Sequence, residues 1–462
     1  MRLSFFRFLS DSLGALAWEG VLLPCVFLGG IYLSIGTGAV QLRHFGCAMK
    51  HTVGKVFRKA PARSGSVTPF QAVTTALAAT VGTGNIIGTS QAIALGGYGA
   101  VFWMWAAALL GMVIKYAEVT LAVRFRERDA RGDWVGGPMY TIKNGMGARW
   151  NWLACIFSLF AALAALGIGN MSQANAAADA VTDAVTLLCP GFTGAAALRR
   201  VLGVTLAALT ALVLFGGIKR LGAVTERLVP CMSVLYIALA LTVIFSDLSG
   251  VGRAFALILK GAFAPQAVLG AASGITLRQT LTWGLRRSAF SNEAGLGSAP
   301  IAHAAADCES AVEQGFFGIF EVFADTVVLC TLTALAIIVS GVPITFGVLP
   351  GASLVAAAFG TVLGAKLASL AVAVCLALFA CSTIFGWALY GSRCAQFLFG
   401  ERGAGIYRRI YVVFVAVGAA ASADLVWSIA DTLNGLMAIP NFIALFALSP
   451  VVFRLTRDYF RR

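Results

Sequence analysis

The chain has 462 residues, of which 59% are hydrophobic and 12% charged, with a formal net charge of +14. A soluble domain carries roughly a quarter charged residues, so this balance excludes an ordinary soluble globule, as does the mean hydropathy of +0.86. The positive charge does not mark a nucleic-acid binder, because the basic residues lie in short loops between apolar runs.

About 20 mostly apolar residues cross the hydrocarbon of a bilayer. Eleven spans are predicted, near 18–40, 69–95, 98–123, 152–182, 201–217, 222–246, 278–303, 313–341, 366–392, 407–421 and 425–453. The first runs on past Val21–Leu33 without a small-residue cleavage site and reads as a retained helix rather than a secretory signal. The loop after it holds Arg43, Lys50, Lys55, Arg58, Lys59 and Arg63 and no acid, and alternate later loops are basic in the same way (Arg124–Arg149, Lys219–Arg227, Arg393–Arg409, Arg454–Arg462). Loops 96–99, 341–365 and 422–424 have no Lys or Arg. The bias predicts an outside amino terminus and a cytoplasmic carboxyl terminus; loop 304–312, with Asp307, Glu309 and no base, dissents, but acids weigh little in this rule. Segments 249–270 and 345–365 suit short surface helices or re-entrant caps on the outer face.

The second span carries Thr80-Val81-Gly82-Thr83-Gly84-Asn85-Ile86-Ile87-Gly88. Each glycine costs about 1 kcal/mol against alanine in a helix, and an opened helix strands backbone groups that lipid cannot satisfy. A break here must therefore face a cavity, where N–H groups suit an anion and carbonyls a small cation. Gly84-xxx-Gly88 is also the spacing of close helix packing, and the residue types alone leave both readings open. Five spans later, Ser291-Asn292-Glu293-Ala294-Gly295-Leu296-Gly297-Ser298-Ala299-Pro300 interrupts the seventh span. Five is odd, so the two segments run in opposite directions, the pattern of a transporter site between inverted halves.

Charged residues inside spans are expensive and need partners. Glu118, three residues from Lys115, predicts an ion pair; Glu321 and Asp325 share a helix face and suit gating or proton relay; Glu293 is a substrate contact, a gate or a helix cap. Arg278, Arg286 and Arg287 weaken the seventh span by hydropathy, and the last two are expected to line an outer vestibule. The ten cysteines are scattered without a CxxC pair and read as free, buried thiols. With three histidines (His44, His51, His303), no HExxH and no GxSxG, the chain offers little to an enzyme, and one pair of broken helices suits a closed central site better than a channel pore.

The run Gly82–Trp105, with Gly136-Gly137-Pro138-Met139-Tyr140, Phe290–Gly295 and Ala430–Asn441, resembles the alanine/glycine:cation symporter family from about residue 20 to 455. The resemblance implies an all-α polytopic membrane protein with the leucine-transporter (LeuT) fold, about 11 transmembrane helices arranged as 5+5 inverted repeats with one extra amino-terminal helix. It divides the chain into 1–66, a first repeat at 67–246, an outer connection at 247–277, a second repeat at 278–453 and a basic tail at 454–462. The implied function is uptake of a small neutral amino acid, alanine or glycine, with Na+ as coupling ion and no other cofactor; proton coupling is the alternative. Residue by residue, Thr83, Gly84 and Asn85 resemble the unwound substrate segment, and Gln173 a substrate-contacting glutamine. Thr383 resembles a ligand shared by substrate and ion, with Trp387 closing the pocket. The sodium ligands implied are the carbonyls of Ala78 and Val81 and the hydroxyls of Ser382 and Thr383, neutral oxygens suited to a monovalent ion.

Overall fold

The computed structural model describes residues 14, 16–56, 67–270, 274–421 and 423–461. The expected amino-terminal segment before residue 14 and the loop bases Arg58, Lys59 and Arg63 lie outside them, as do the side chains of Lys55 and residues 423–430.

Helix α1 spans Leu16–Gly36. The basic loop after it is not extended: it holds helix α2, Phe45–Val56, whose rings of Phe45 and His51 pack on Phe323 and Phe316 at 5.0 and 5.8 Å. Helix α3, Pro69–Thr80, opens with proline in its first turn and a capping box between Thr68 and Gln71, which together satisfy first-turn donors. After a break the span resumes as α4, residues 84–96, and ends where Gly97 takes φ +75°. Helix α5 is Ala100–Arg124. A small antiparallel hairpin follows, β1 Glu127–Arg128 with β2 Trp134–Val135.

Helix α6 covers Ala148–Leu188, with a π-helical turn at Gly167–Met171. Helices α7, Ala195–Leu214, and α8, Gly217–Ser246, come next. Helix α9, Leu248–Phe263, lies across the turn between α4 and α5, where Trp103 donates to the Ala262 carbonyl at 3.0 Å. Helix α10, Leu277–Asn292, starts with a second capping box, Thr276 with Gln279, and α11 is the short Ala299–His303. Helix α12 is Ala311–Val339 and α13 Ser353–Leu363. Helices α14 and α15, residues 365–399 and 401–420, join at Gly400, whose φ +68° and ψ −169° break the helix. Helix α16, Ala423–Ala447, is followed by α17, Ser449–Arg461.

Seven described helices are long and apolar enough to cross a membrane, and the α16–α17 pair, bent by 57°, supplies another. The longest of the seven is two helices in one, and α3–α4 and α10–α11 are spans too broken to be found by length. The described residues thus accommodate the eleven predicted spans, with α9 and α13 as the expected short helices. Most of the expected basic tail is helical and packed: Phe460 stacks on His44 at 3.6 Å, and Thr456 bonds the Tyr116 hydroxyl at 2.7 Å. In its most apolar window α5 is 83% buried and α7 only 28%. The first therefore runs through the centre beside the two broken spans, and the second faces lipid. All ten cysteines are free, but the expectation that they are also buried fails at Cys189 and Cys231, which are exposed.

Candidate functional site

The first break begins at Val81, whose ψ of 88° ends α3. Gly82 then comes so close to α14 that a Cβ there would sit 2.4 Å from Thr383 Oγ1, so only glycine fits. The amides that lose helical partners are taken by side chains. Gly82 N–H donates to Asn85 Oδ1 at 2.9 Å, and Thr83 donates to Gln173 Oε1 through its N–H at 3.3 Å and its hydroxyl at 2.9 Å. Gly84 lies against α10, where a Cβ would be 3.3 Å from the Phe290 ring.

Across the break, Ser382 on α14 donates to the carbonyls of Ala78 at 3.0 Å and Val81 at 3.4 Å. The neighbouring Thr383 hydroxyl is buried and has no hydrogen-bond partner. The four residues implied as cation ligands are therefore brought together, and so are Thr83, Gln173 and Thr383 of the substrate set. Asn85 also turns the other way: its amide donates to Asp325 Oδ1 at 2.6 Å. Trp387 packs where Gly169, in the π-helical turn of α6, lacks a Cβ, and donates through Nε1 to Glu293 at 2.8 Å. Its place is thus between the π-helical turn of α6 and the second break.

The second break is built differently. Glu293 takes the left-handed conformation (φ +56°) and ends α10, and Gly295 and Gly297 follow at φ +88° and +78°. Asn292 Oδ1 accepts from the Ala294 N–H at 3.0 Å. Glu118 accepts from the Gly297 N–H at 3.1 Å and from Asn441, whose amide also reaches the Gly295 carbonyl. The Gly137-Pro138 turn packs onto this segment, since a Cβ on Gly297 would meet Pro138 at 2.6 Å.

With this geometry in place, comparison with known proteins is decisive. Residues 4–462 match the family described as the sodium:alanine symporter family. The chain belongs to that family. It is 40% identical to the sodium/alanine symporter AgcS of Methanococcus maripaludis over 98% of its own length and 97% of that protein. It is 37% identical to the probable sodium/glutamine symporter GlnT of Bacillus subtilis, over 97% and 89%. Among solved structures, MhsT in complex with L-phenylalanine superposes with a TM-score of 0.57 at 15% identity, covering 86% of this chain and 99% of that one. The fold is therefore the expected LeuT-like one, and the relatives are transporters, not enzymes.

Within this family frame, the buried charges correct one expectation. Lys115 does not pair with Glu118; its ammonium lies 3.3 Å from Glu321, both fully buried, and His303 contacts the other Glu321 oxygen at 3.1 Å. Glu118 is used by the second break instead, because the unwound segment strands an N–H that a carboxylate can accept. Glu321 and Asp325 have different hydrogen-bond partners. The helix is π-wound over Phe323–Cys330, and Asp325 accepts from Asn85, Ser291 and Thr326. Among the described residues no Lys, Arg or His pairs with Asp325. Asp325 as a bridge between the broken spans, and Asn441 as a support of the second, were not assigned from sequence. A polar residue inside an apolar run was the available signal in both cases.

Proposed function

We propose that this chain carries a small neutral amino acid, alanine or glycine, into the cell together with Na+, by alternating access. The observation that carries the reading is the oxygen set at the first break: two carbonyls at Ala78 and Val81, the Ser382 hydroxyl between them, and the unpartnered Thr383 hydroxyl. A buried hydroxyl without a partner costs about 1–3 kcal/mol, a cost that a bound ligand removes. A monovalent cation needs neutral oxygens of this kind. The substrate carboxylate binds at Thr83, Gly84 and Asn85. There the Asn85 and Gln173 side-chain oxygens now occupy the amides of Gly82 and Thr83, and a carboxylate displaces a neutral amide because charge-assisted bonds are roughly twice as strong. Thr383 serves both ligands, and Trp387 limits side-chain length. Halves 67–246 and 278–453 move against each other, with the amino terminus outside and the carboxyl terminus cytoplasmic in a cell membrane.

Uptake of labelled alanine into sealed proteoliposomes tests this. An inward sodium gradient drives accumulation above equilibrium, and replacing sodium by choline abolishes it. One observation favours a second reading, the proton as coupling ion: Asp325 places a carboxyl against Asn85 in the first break. Accumulation driven equally by a proton gradient without sodium supports that reading and sinks the first.

A further inference from the structure

Arg287 is a buried charge that the transport reading leaves unused. Its neighbour Arg286 is ion-paired: Nη2 donates to Asp431 at 2.6 Å, and the guanidinium lies 5.5 Å from the rings of Trp18 and Trp283, though its Nε is left without an acceptor. Arg287 is 5% exposed, and its Nε and Nη1 groups are buried without any acceptor. What surrounds it is aromatic, with Trp283 at 5.1 Å and Phe290 at 5.5 Å. The facing element, α4, brings Gly88 against it, where a Cβ would be 3.9 Å from Arg287 Cδ. Asp431, the acid that bears on it, gives Oδ2 to Arg286, and its free Oδ1 makes no hydrogen bond to Arg287.

Arginine cannot shed its proton in a protein, so burial cannot be relieved by neutralisation, and aromatic faces accept charge without accepting N–H hydrogen bonds from a fork of donors. Two guanidinium groups, Arg286 and Arg287, thus face the single carboxylate of Asp431, and the excess positive charge with free buried donors is a socket for a small anion. Its position adds a direction. The Phe290 ring on which Arg287 stacks is the ring that packs against Gly84, so one aromatic side chain separates the guanidinium from the first break.

We propose that Arg287 binds a small monovalent anion, and that this anion is the carboxylate of an amino acid on its way to the first break. The carboxylate's identity rests on the transport reading; the anion site itself does not. A free halide has the same chemistry and is the second source to distinguish.

The test uses the full chain in lipid nanodiscs and the fluorescence of Trp283, whose indole lies under the guanidinium, with Trp283→Phe identifying its contribution. Acetate and chloride are titrated separately at constant ionic strength against gluconate, too bulky for a buried socket. A saturable change with acetate is expected in the wild type and in Arg287→Lys, and its loss in Arg287→Gln. No saturable change in the wild type, or the same change in Arg287→Gln, overturns the site without relying on any variant's activity. Chloride competing with acetate supports a shared socket; chloride saturating where acetate does not overturns the carboxylate assignment. Sodium-driven alanine uptake is measured on the same preparation. Its absence beside an intact acetate response contradicts the transport reading alone.

Discussion

The two broken spans start alike and end differently. Each opens with a Thr-x-x-Gln capping box, Thr68 with Gln71 and Thr276 with Gln279, and each stops inside the bundle. At the first break neutral groups do the work, amide and hydroxyl side chains on backbone N–H and C=O, and the Thr383 hydroxyl is left over. At the second, Asn292 holds the Ala294 N–H, but two carboxyl groups join it: Glu118 holds the Gly297 N–H and Asn441, and Glu293 holds Ser298 and Trp387. A charged acceptor fixes a segment firmly, whereas neutral stand-ins are readily displaced by a charged ligand. On the proposed function, the first break binds and the second is the frame that holds it.

Substitutions that break the comparison should differ in kind as well as in size. The largest effect is expected at Gly82→Val, where a Cβ would overlap the Thr383 hydroxyl at 2.4 Å. Uptake should fall to that of empty vesicles while the protein is still made, and normal transport by this variant would mean that the close approach to α14 is not functional. Next comes Glu118→Ala, which strands the Gly297 N–H and the Asn441 amide. A loss of about 1–3 kcal/mol is expected for donors left buried without their acceptor. It should appear as a lower unfolding temperature in detergent, with sodium affinity in the surviving protein little changed. A variant of wild-type thermal stability would show that the second break does not depend on its carboxylates.

Smaller effects sharpen the picture. Thr383→Ala removes one oxygen and keeps the helix, so the sodium concentration for half-maximal uptake should rise about tenfold; unchanged sodium dependence argues against the proposed ligand set. The smallest effect belongs to Trp387→Phe, which gives up the bond to Glu293 but keeps an apolar wall. Competition against labelled alanine should improve for methionine and weaken for glycine, within the about 1–3 kcal/mol that a methylene is worth in an apolar pocket. An identical selectivity order would place Trp387 outside the pocket.

Much of this was legible in the sequence because lipid enforces simple rules. Spans could be counted from apolar length, and both breaks announced themselves as glycine with Thr, Asn or Glu in mid-membrane, where a continuous helix has no use for them. The proposed set of Ser382, Thr383, Ala78 and Val81 came from family resemblance; the structure puts the Ser382 hydroxyl on both carbonyls and the Thr383 hydroxyl beside Gly82. What could not be read were partnerships across the bundle. Lys115 and Glu118 are one turn apart and invite pairing, yet the lysine chooses Glu321, 206 residues away, because the unwound Gly297 competes for Glu118. The same limit hid the partners of Asp325, which reaches Asn85 and Ser291, residues distant in sequence on the two broken spans.

The central claim, that sodium and the amino acid share the first break, is tested most directly by equilibrium binding of labelled alanine to the purified chain across a sodium titration. Coupled sites act reciprocally, so in the wild type rising sodium should lower the alanine dissociation constant and rising alanine should lower that of sodium by the same factor. In Thr383→Ala the factor should shrink towards one. Alanine affinity independent of sodium in the wild type, or full coupling retained in Thr383→Ala, would contradict the account.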